Sequence, residues 1–399
     1  MIRRRLLAMA WMASAVVPFA AFAQGPIEIG FPIPLSGPTA IYGQPILRGA
    51  QMAVAEINAA GGLLGRKVEI LPRDSKANPD EAVRVARELI VKDNVDFLVG
   101  TLTSAEAPAV STIAKENHFV FIAPAAKLTD LTAPANLHPY IFRVSSTTLA
   151  EGRTAAAILA KWHGIKRVAT IAPDYAYGRQ AIADFVAYLN KLRPDIQIVD
   201  QQWPKLGEPN LTPFVTAQMS KHPDAVMCDE YGGDFVTLVK QATPLGYFKA
   251  IDNRLIDGGE VGSVDVTKAL GDSYPYGIWA NAYDPVVWNT GEPPEHKAFE
   301  QHLSAFMHSQ YASGWAIQGY IAVQALAAGV RKAGSANDAK VAQALLGLTV
   351  ETPIGTRTFS AVNHDFNTGE VWGVMAKDPK YPFAIISNPI YENPTQYMN

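Results

Sequence analysis

Short apolar runs alternate with segments of helical periodicity along most of this chain. The run IEIGFPI is followed by LRGAQMAVAEINAAGG, in which Leu47, Ala50 and Val54 recur at helical spacing before two glycines end the helix. The segment NPDEAV predicts the start of the next helix, because Asn78 is placed to cap its amino terminus and Pro79 takes the first helical position. Strand and helix therefore alternate from the start of the globular sequence.

The alternation continues in two series. The first contains the apolar runs VDFLVG, FVFIA and YIFRVSS, with a helix predicted over about 105–117. The second contains RVATIAP, IQIVDQQWP, DAVMCDEY and RLIDGG, with helices predicted over 149–163, 178–192, 211–221 and 234–246. Strands that are apolar on both faces are typical of parallel sheets covered by helices. The sequence therefore predicts an α/β protein with two Rossmann-like lobes and a cleft between them.

The amino terminus has the pattern of an export signal. Three arginines at positions 3–5 precede an apolar run that ends near Val17, and Ala21 and Ala23 form an A-x-A-like cleavage site. The apolar run is shorter than the ~20 residues that a membrane-spanning helix needs. We therefore predict a signal peptide over residues 1–23 and export of the mature chain.

Charge and cysteine content exclude several classes of function. The formal net charge of the 399-residue chain is -3, and the predicted cleavage removes three more positive charges, so a nucleic-acid partner is not expected. The one cysteine, Cys228, cannot form a disulfide within the chain. It lies in the apolar run DAVMCDEY, so we assign it to packing and not to catalysis.

The sequence shows no recognisable catalytic or cofactor motif. It contains no G-x-S-x-G, H-E-x-x-H, P-loop or dinucleotide fingerprint. His296, His302 and His308 are spaced six apart, which fans them around a helix, so we predict a solvated face and no metal site. Residues 284–297 are predicted to form a long surface excursion. We expect no enzymatic activity, no cofactor and no metal.

Polar and aromatic residues follow several predicted strands, at the sheet edge where open α/β folds bind ligands. In the first series they are Tyr42 in SGPTAIYG, Ser104 in GTLTSAE and Lys127 in PAAKL. In the second series they are Tyr177 in DYAYG, Tyr231 in DEYGG and Glu260 in DGGEVGS. A tyrosine after a strand is often a packing residue, but several at one edge favour a ligand cleft.

Two of these turns allow more than one interpretation. In GTLTSAE, Ser104 and the first-turn amides are placed to receive a carboxylate, yet residues 103–106 also fit a capping box that needs no ligand. In PAAKL, Lys127 is either solvated or held against an anion or an acidic neighbour. The sequence alone leaves both alternatives open.

Longer stretches of the chain resemble a known family. The segment from IEIGFPIPLSGPTAIYG to EAVRVARELI, with GTLTSAEAPAVS, FIAPAAKLTDLT, DYAYG and YIAVQALAAGV, resembles the leucine/isoleucine/valine-binding proteins, periplasmic receptors of ABC transporters for branched-chain amino acids. The resemblance implies a type I periplasmic binding protein fold, in which two lobes joined by three crossings close on a ligand. It places lobe one at 24–144 plus 276–353 and lobe two at 145–275 plus 354–399.

The resemblance also implies a ligand site between the lobes. Two lobe-one turns would hold the ligand's carboxylate and ammonium, two lobe-two tyrosines would close over it, and Glu260, or alternatively Asp257, would pair with the ammonium. The implied ligand-binding residues are Tyr42, Leu102, Thr103, Ser104, Ala125, Ala126, Lys127, Tyr177, Tyr231, Glu260 and Trp315.

Two departures from the family pattern stand out. The family's lobe-one disulfide falls at Lys76 and Thr103 here, so it is missing. Lys127 replaces a threonine of the typical amino-acid receptors. A lysine would strengthen the binding of a carboxylate but repel an ammonium, and with Glu260 in reach the protein would supply its own counter-ion.

Together these features predict a periplasmic solute-binding protein of an ABC importer. Its ligand would be a small carboxylate, either a hydrophobic amino acid or an aromatic or 2-oxo acid. We expect a monomer that delivers this ligand to permease subunits in the inner membrane. The alternative is a ligand-sensing receptor of the same fold that signals to a membrane kinase.

Overall fold

The structure, a computed structural model, describes residues 25–37, 39–393 and 395. The predicted signal peptide lies outside these residues. Within them, no helix has both the length and the apolar character needed to cross a bilayer.

Lobe one is built on a five-stranded parallel sheet with the strand order β2-β1-β3-β4-β5. Its first elements alternate as the sequence predicts. They are β1 (Ile27–Ile33), α1 (Ala40–Ala59), β2 (Val68–Asp74), α2 (Pro79–Val91), β3 (Phe97–Val99), α3 (Glu106–Asn117), β4 (Phe121–Ala123) and β5 (Ile141–Arg143). The predicted cap of α2 is confirmed, because the Glu81 amide donates to Asn78 Oδ1 over 3.0 Å.

Lobe two begins after β5 and again alternates strand and helix. Its elements are α4 (Thr148–Leu159), β6 (Arg167–Ile171), α5 (Ala176–Leu192), β7 (Gln197–Gln202), α6 (Thr212–Ser220), β8 (Ala225–Cys228), α7 (Gly232–Ala242), α8 (Tyr247–Ala250), β9 (Leu255–Asp257), α9 (Val264–Leu270) and β10 (Trp279–Ala282). The helix predicted over 234–246 is therefore too long, since α7 ends at Ala242 and Gly246, with φ near 74°, separates it from α8.

The chain then returns to lobe one and finally to lobe two. The remaining elements are α10 (Pro294–Met307), α11 (Ala316–Ala333), α12 (Asp338–Leu345), β11 (Thr349–Val350), β12 (Arg357–Thr358), β13 (Glu370–Ala376) and β14 (Ile385–Glu392). Helix α11 packs closely on α1, because a Cβ on Gly49 would lie 1.8 Å from the Ala316 oxygen and one on Gly319 equally close to the Ile46 oxygen.

The second sheet is larger than predicted and is mixed. Its strand order is β14-β13-β10-β9-β8-β6-β7, and β13 and β14 run antiparallel at one edge. The α/β fold with parallel sheets is confirmed for the remaining strands of both sheets. The antiparallel edge comes from the carboxyl-terminal segment, which has no helix between its strands to signal a crossover.

The structure moves two of the predicted lobe boundaries. Strand β10 belongs to the second sheet, although the predicted division assigns residues from 276 onward to lobe one. Phe359 and Phe366 pack in the core of lobe one, although the division ends that lobe at 353. The returning segment of lobe one therefore runs from about residue 284 to about residue 367.

The predictions for α10 and the segment before it are wrong in one respect. Residues 284–297 were expected on the surface and His296 on a solvated face. Asp284 and His296 instead have fully buried side chains that contact each other. The histidine spacing was correctly interpreted as scattering the three rings, but the burial of one ring depends on a partner from outside the helix.

Candidate ligand-binding cleft

A cavity lies between the lobes at the carboxyl ends of the parallel strands. The space between its lining atoms has a volume of about 340 Å³, part of which is open to solvent. The lining residues are Leu102, Thr103, Ser104, Ala125, Lys127, Tyr175, Tyr177, Tyr231, Glu260, Tyr283 and Trp315. Nine of these are among the predicted ligand-binding residues.

Two predicted residues lie behind the cavity wall. Tyr42 is buried and stacks at 4.5 Å against Trp315, with Tyr231 at 6.1 Å. Ala126 is also buried, and its carbonyl accepts a 3.2 Å hydrogen bond from the Ser145 hydroxyl. Both positions therefore shape the wall without lining the space itself.

Sequence reasoning missed Tyr175 and Tyr283. Tyr175 is the first tyrosine of DYAYG, of which only the second was selected, and its hydroxyl lies 3.2 Å from that of Tyr231. Tyr283 directly follows β10, so the rule applied to the other strands would have found it had this short strand been predicted.

Aromatic side chains form most of the wall. The rings of Tyr283 and Trp315 meet edge to face at 5.1 Å, and those of Tyr177 and Tyr231 at 5.9 Å. Such pairs hold each ring in a fixed orientation and give this side of the cavity an aromatic surface. The wall therefore suits a flat or branched apolar group.

The amino end of α3 provides hydrogen-bond donors. Thr103 and Glu106 form the predicted capping box, since the Glu106 amide donates to Thr103 Oγ1 (3.2 Å) and the Thr103 amide to Glu106 Oε2 (3.1 Å). Ser104 Oγ accepts from the Leu128 amide over 3.2 Å, so its own hydrogen is free to donate. Among the described residues, the Ser104 amide has no acceptor. These donors, at the positive end of a helix, favour an anion.

Lys127 does not present a free ammonium to this space. Its Nζ contacts carboxylate oxygens of Glu151 and Glu260, and it lies 2.5 Å from Glu370 Oε1. All four side chains are at most 5% exposed. An ammonium has three N–H donors, and those of Lys127 go to Glu151, Glu260 and the Gly258 carbonyl oxygen, whereas Glu370 is held by its charge. Of the alternatives that the sequence left open, the structure shows the acidic neighbour.

The charges in this cluster do not balance if every carboxyl is ionised. Burial disfavours the Lys127 ammonium, but the glutamates outweigh burial and hold the lysine pKa well above its usual value. Burial raises the pKa of Glu260 to about 8, because the attraction of one shared lysine offsets only part of the lost hydration. Burial likewise raises the pKa of Glu151. The cluster therefore retains protons at neutral pH.

Glu260, and not Asp257, faces the cleft. Asp257 is fully buried and accepts a 2.7 Å hydrogen bond from the Gly259 amide, away from the cavity. Glu260 has a φ of 55°, in the left-handed region, and its amide donates to Asn281 Oδ1 over 2.8 Å. A non-glycine residue in this region is strained, and such strain is concentrated at functional positions.

Comparison with known proteins identifies the family. A model of the periplasmic binding proteins matches residues 26–378. The chain belongs to the periplasmic binding protein family. This binding protein is 33% identical to the Leu/Ile/Val-binding protein BraC3 of Rhizobium johnstonii, over 86% of this chain and 90% of the relative. The resemblance drawn from the sequence is thereby confirmed.

Solved structures confirm the type I fold of this binding protein. The substrate-binding protein of an ABC transporter from Sphaerobacter thermophilus has a TM-score of 0.80 and 25% identity, over 92% of this chain and 98% of that one. A solute-binding protein of Rhodopseudomonas palustris BisB5, in complex with 3,4-dihydroxybenzoic acid, has a TM-score of 0.81 and 24% identity, over 93% of this chain and 99% of that one. The protein is thus a substrate-binding protein of the branched-chain amino-acid type of ABC transporter.

Proposed function

We propose that this binding protein captures a small carboxylate without an amine, an aromatic or 2-oxo acid, and delivers it to the permease of an ABC importer. The observation that carries the proposal is the position of Lys127 Nζ, held by three buried glutamates beside the cavity. Glu260, which the family resemblance assigns to the ligand's ammonium, is one of the three. The ammonium of Lys127 therefore takes the place that the ammonium of an amino-acid ligand would fill.

A ligand ammonium would be disfavoured here for two reasons. It would lie close to the charged Lys127 and repel it in a site with little water, where charge interactions are strong. It would also find Glu260 already engaged. A ligand that brings only a carboxylate and an apolar body avoids both costs.

The rest of the cavity suits such a ligand. The Ser104 hydroxyl and amide are available for the carboxylate, and the Tyr283 and Trp315 rings for the body. The R. palustris neighbour shows that this fold can close around an aromatic acid. The R. johnstonii relative is named for amino acids, so the ligand class has to be decided by experiment.

The mechanism that follows is closure without covalent chemistry. Ser104 comes from lobe one, whereas Tyr177, Tyr231 and Glu260 come from lobe two. A ligand that contacts both sets shifts the population from open to closed. We infer a monomer that binds in the periplasm, and the names of the relatives support transport over the sensory alternative.

Matched ligand pairs test the proposal. Phenylalanine and phenylpyruvate, and leucine and 4-methyl-2-oxopentanoate, differ only in an amine replaced by a keto oxygen. We expect each 2-oxo acid, and benzoate, to raise the thermal midpoint of the purified protein more than either amino acid, because bound ligand stabilises the folded state. If each amino acid raises the thermal midpoint more than its matching 2-oxo acid does, the proposal is wrong. Mass spectrometry of any co-purifying ligand is an independent check.

A further inference from the structure

A second buried cluster of ionisable side chains lies in lobe one, behind the cavity. His296 and Glu300 are one turn apart on α10, and Asp284 follows the last strand before the chain returns to lobe one. Each offers a ligand atom, and these three atoms all lie within 4.8 Å of one another. The side chains of Asp284 and His296 are fully buried.

The imidazole of His296 is oriented by a fourth residue. Its Nδ1 lies 3.0 Å from Glu292 Oε1, and its Nε2 faces Asp284 Oδ1 at 2.9 Å. Nε2 carries a proton in this contact, because an unprotonated nitrogen would face the carboxylate with its lone pair. A metal would replace that proton, while Glu292 would hold the one on Nδ1, which is the usual support of a metal-binding histidine. Glu292 is 29% exposed, so the residue that orients the imidazole borders the solvent, whereas the three candidate ligands are buried.

Two carboxylate oxygens in the cluster lack a hydrogen-bond donor. Asp284 Oδ2 and Glu300 Oε1 are both inaccessible to water and find no donor in the part of the chain that the structure describes, although the two carboxyl groups contact each other. Buried polar atoms are almost always satisfied, so a pair of unsatisfied carboxylate oxygens in one place calls for a cation or a proton between them.

We propose that Asp284, His296 and Glu300 bind a divalent zinc ion. One imidazole nitrogen with carboxylate oxygens is a zinc donor set, whereas calcium and magnesium prefer oxygen alone. The ion would satisfy the two free oxygens and join the returning segment to α10. Tyr283 directly precedes Asp284 in the chain. Gly314, the neighbour of Trp315, packs against the backbone of Asp284, because a Cβ on Gly314 would lie 2.1 Å from the Asp284 backbone carbonyl oxygen. The site thus supports the aromatic wall of the cavity from behind.

Metal binding to the chelator-treated, full-length mature protein tests the site directly. We expect calorimetry with zinc chloride to show one ion bound per chain and a rise in thermal midpoint. Cobalt(II) in the same site should give the visible absorption of a tetrahedral ion. Absence of zinc binding in the chelator-treated protein would overturn the proposal.

Three variants locate the bound ion. Glu300→Gln keeps the shape and polar contacts of a protonated glutamate but removes a charged ligand, so we expect at least a tenfold loss of zinc affinity with little change in the metal-free thermal midpoint. Glu292→Gln should weaken binding without abolishing it. His302→Gln is the matched control, since His302 is 72% exposed on the same helix, and should bind as the wild type does. Unchanged zinc affinity in Glu300→Gln, or loss in His302→Gln, would show that the ion binds elsewhere.

Discussion

Replacing Lys127 with threonine should change which ligands the protein accepts. The variant restores the residue of the typical amino-acid receptors and frees Glu260 from its lysine contact. The space left by the lysine side chain is next to three carboxylates, so a ligand ammonium could take over the contacts that Nζ makes now. We therefore expect leucine or phenylalanine to bind Lys127→Thr and not the wild type.

The ligand-free variant should be less stable. Removing one partner of a buried ion pair costs about 3–5 kcal/mol, because the remaining charge stays buried and unpaired. Protonation limits this cost, since the glutamates can become neutral. Without the lysine the folded pKa values of Glu151 and Glu260 rise further above the unfolded ones, so the folded state binds more protons and its stability increases as pH falls. The deficit relative to the wild type should be largest near pH 8 and smaller near pH 5.

A second variant separates the lost charge from the freed space. Lys127→Met also removes the cation but fills the space with a side chain of similar length. It should lose stability as Lys127→Thr does and still fail to bind amino acids. Urea unfolding at pH 5 and pH 8 measures the stability change, and calorimetry with phenylalanine and phenylpyruvate measures the ligand preference of all three proteins.

Two results would refute this reasoning. If Lys127→Thr unfolds at the same urea concentration as the wild type at pH 8, the lysine does not balance the buried glutamates. If Lys127→Thr folds but gains no affinity for either amino acid, the lysine does not take the place of a ligand ammonium. Equal amino-acid binding by the Lys127→Met variant would show that charge alone, and not space, decides the specificity.

Two further predictions concern the cleft. Ser104→Ala should weaken the acid ligand by about 1.5–3 kcal/mol, the value of a hydrogen bond to a charged group, and an unchanged dissociation constant by calorimetry would place the carboxylate elsewhere. Glu260→Gln should change the pH dependence of unfolding. The folded pKa of Glu260 is about 8 against an ordinary 4.5, so the contribution of Glu260 to the free energy of unfolding falls as pH rises between these values. The Glu260→Gln variant should lack this part of the pH dependence. Unfolding free energies of variant and wild type that run parallel from pH 4.5 to pH 8 would contradict the prediction.

The fold could be predicted from the sequence because its signals are local. Strand and helix alternate through β10 except between β4 and β5 and where α7 and α8 are separated, and α2, α4 and α12 carry side-chain caps at their amino ends. The mixed edge could not be predicted this way, since β13 and β14 pair antiparallel without a helix between them. The short strand β10 was missed because WANA has only four residues, one of them polar, and none is β-branched, and with it the lobe boundary and Tyr283 were missed.

The candidate site was predicted where the strand-end rule applies and missed where it does not. Ser104, Lys127 and Tyr231 follow strands, so their place at the cleft could be derived from topology. Glu151 lies in the first turn of α4, where an acidic residue is expected on helix-dipole grounds alone, and Glu370 begins the antiparallel β13. No local pattern marks either as a partner of Lys127, because their proximity depends on how the two lobes meet.

This arrangement places the ion cluster between the two lobes. Lys127 belongs to lobe one, whereas Glu151 and Glu370 belong to elements of lobe two. These ion pairs therefore join elements of the two lobes in the structure. In an amino-acid receptor, the ligand's ammonium would supply the cation that draws the acidic lobe inward. In the proposed function the protein supplies it, so the ligand would contribute only a carboxylate at Ser104 and an apolar body between the aromatic rings. Selectivity against amines and ease of closure then share one physical cause, the placement of a single lysine.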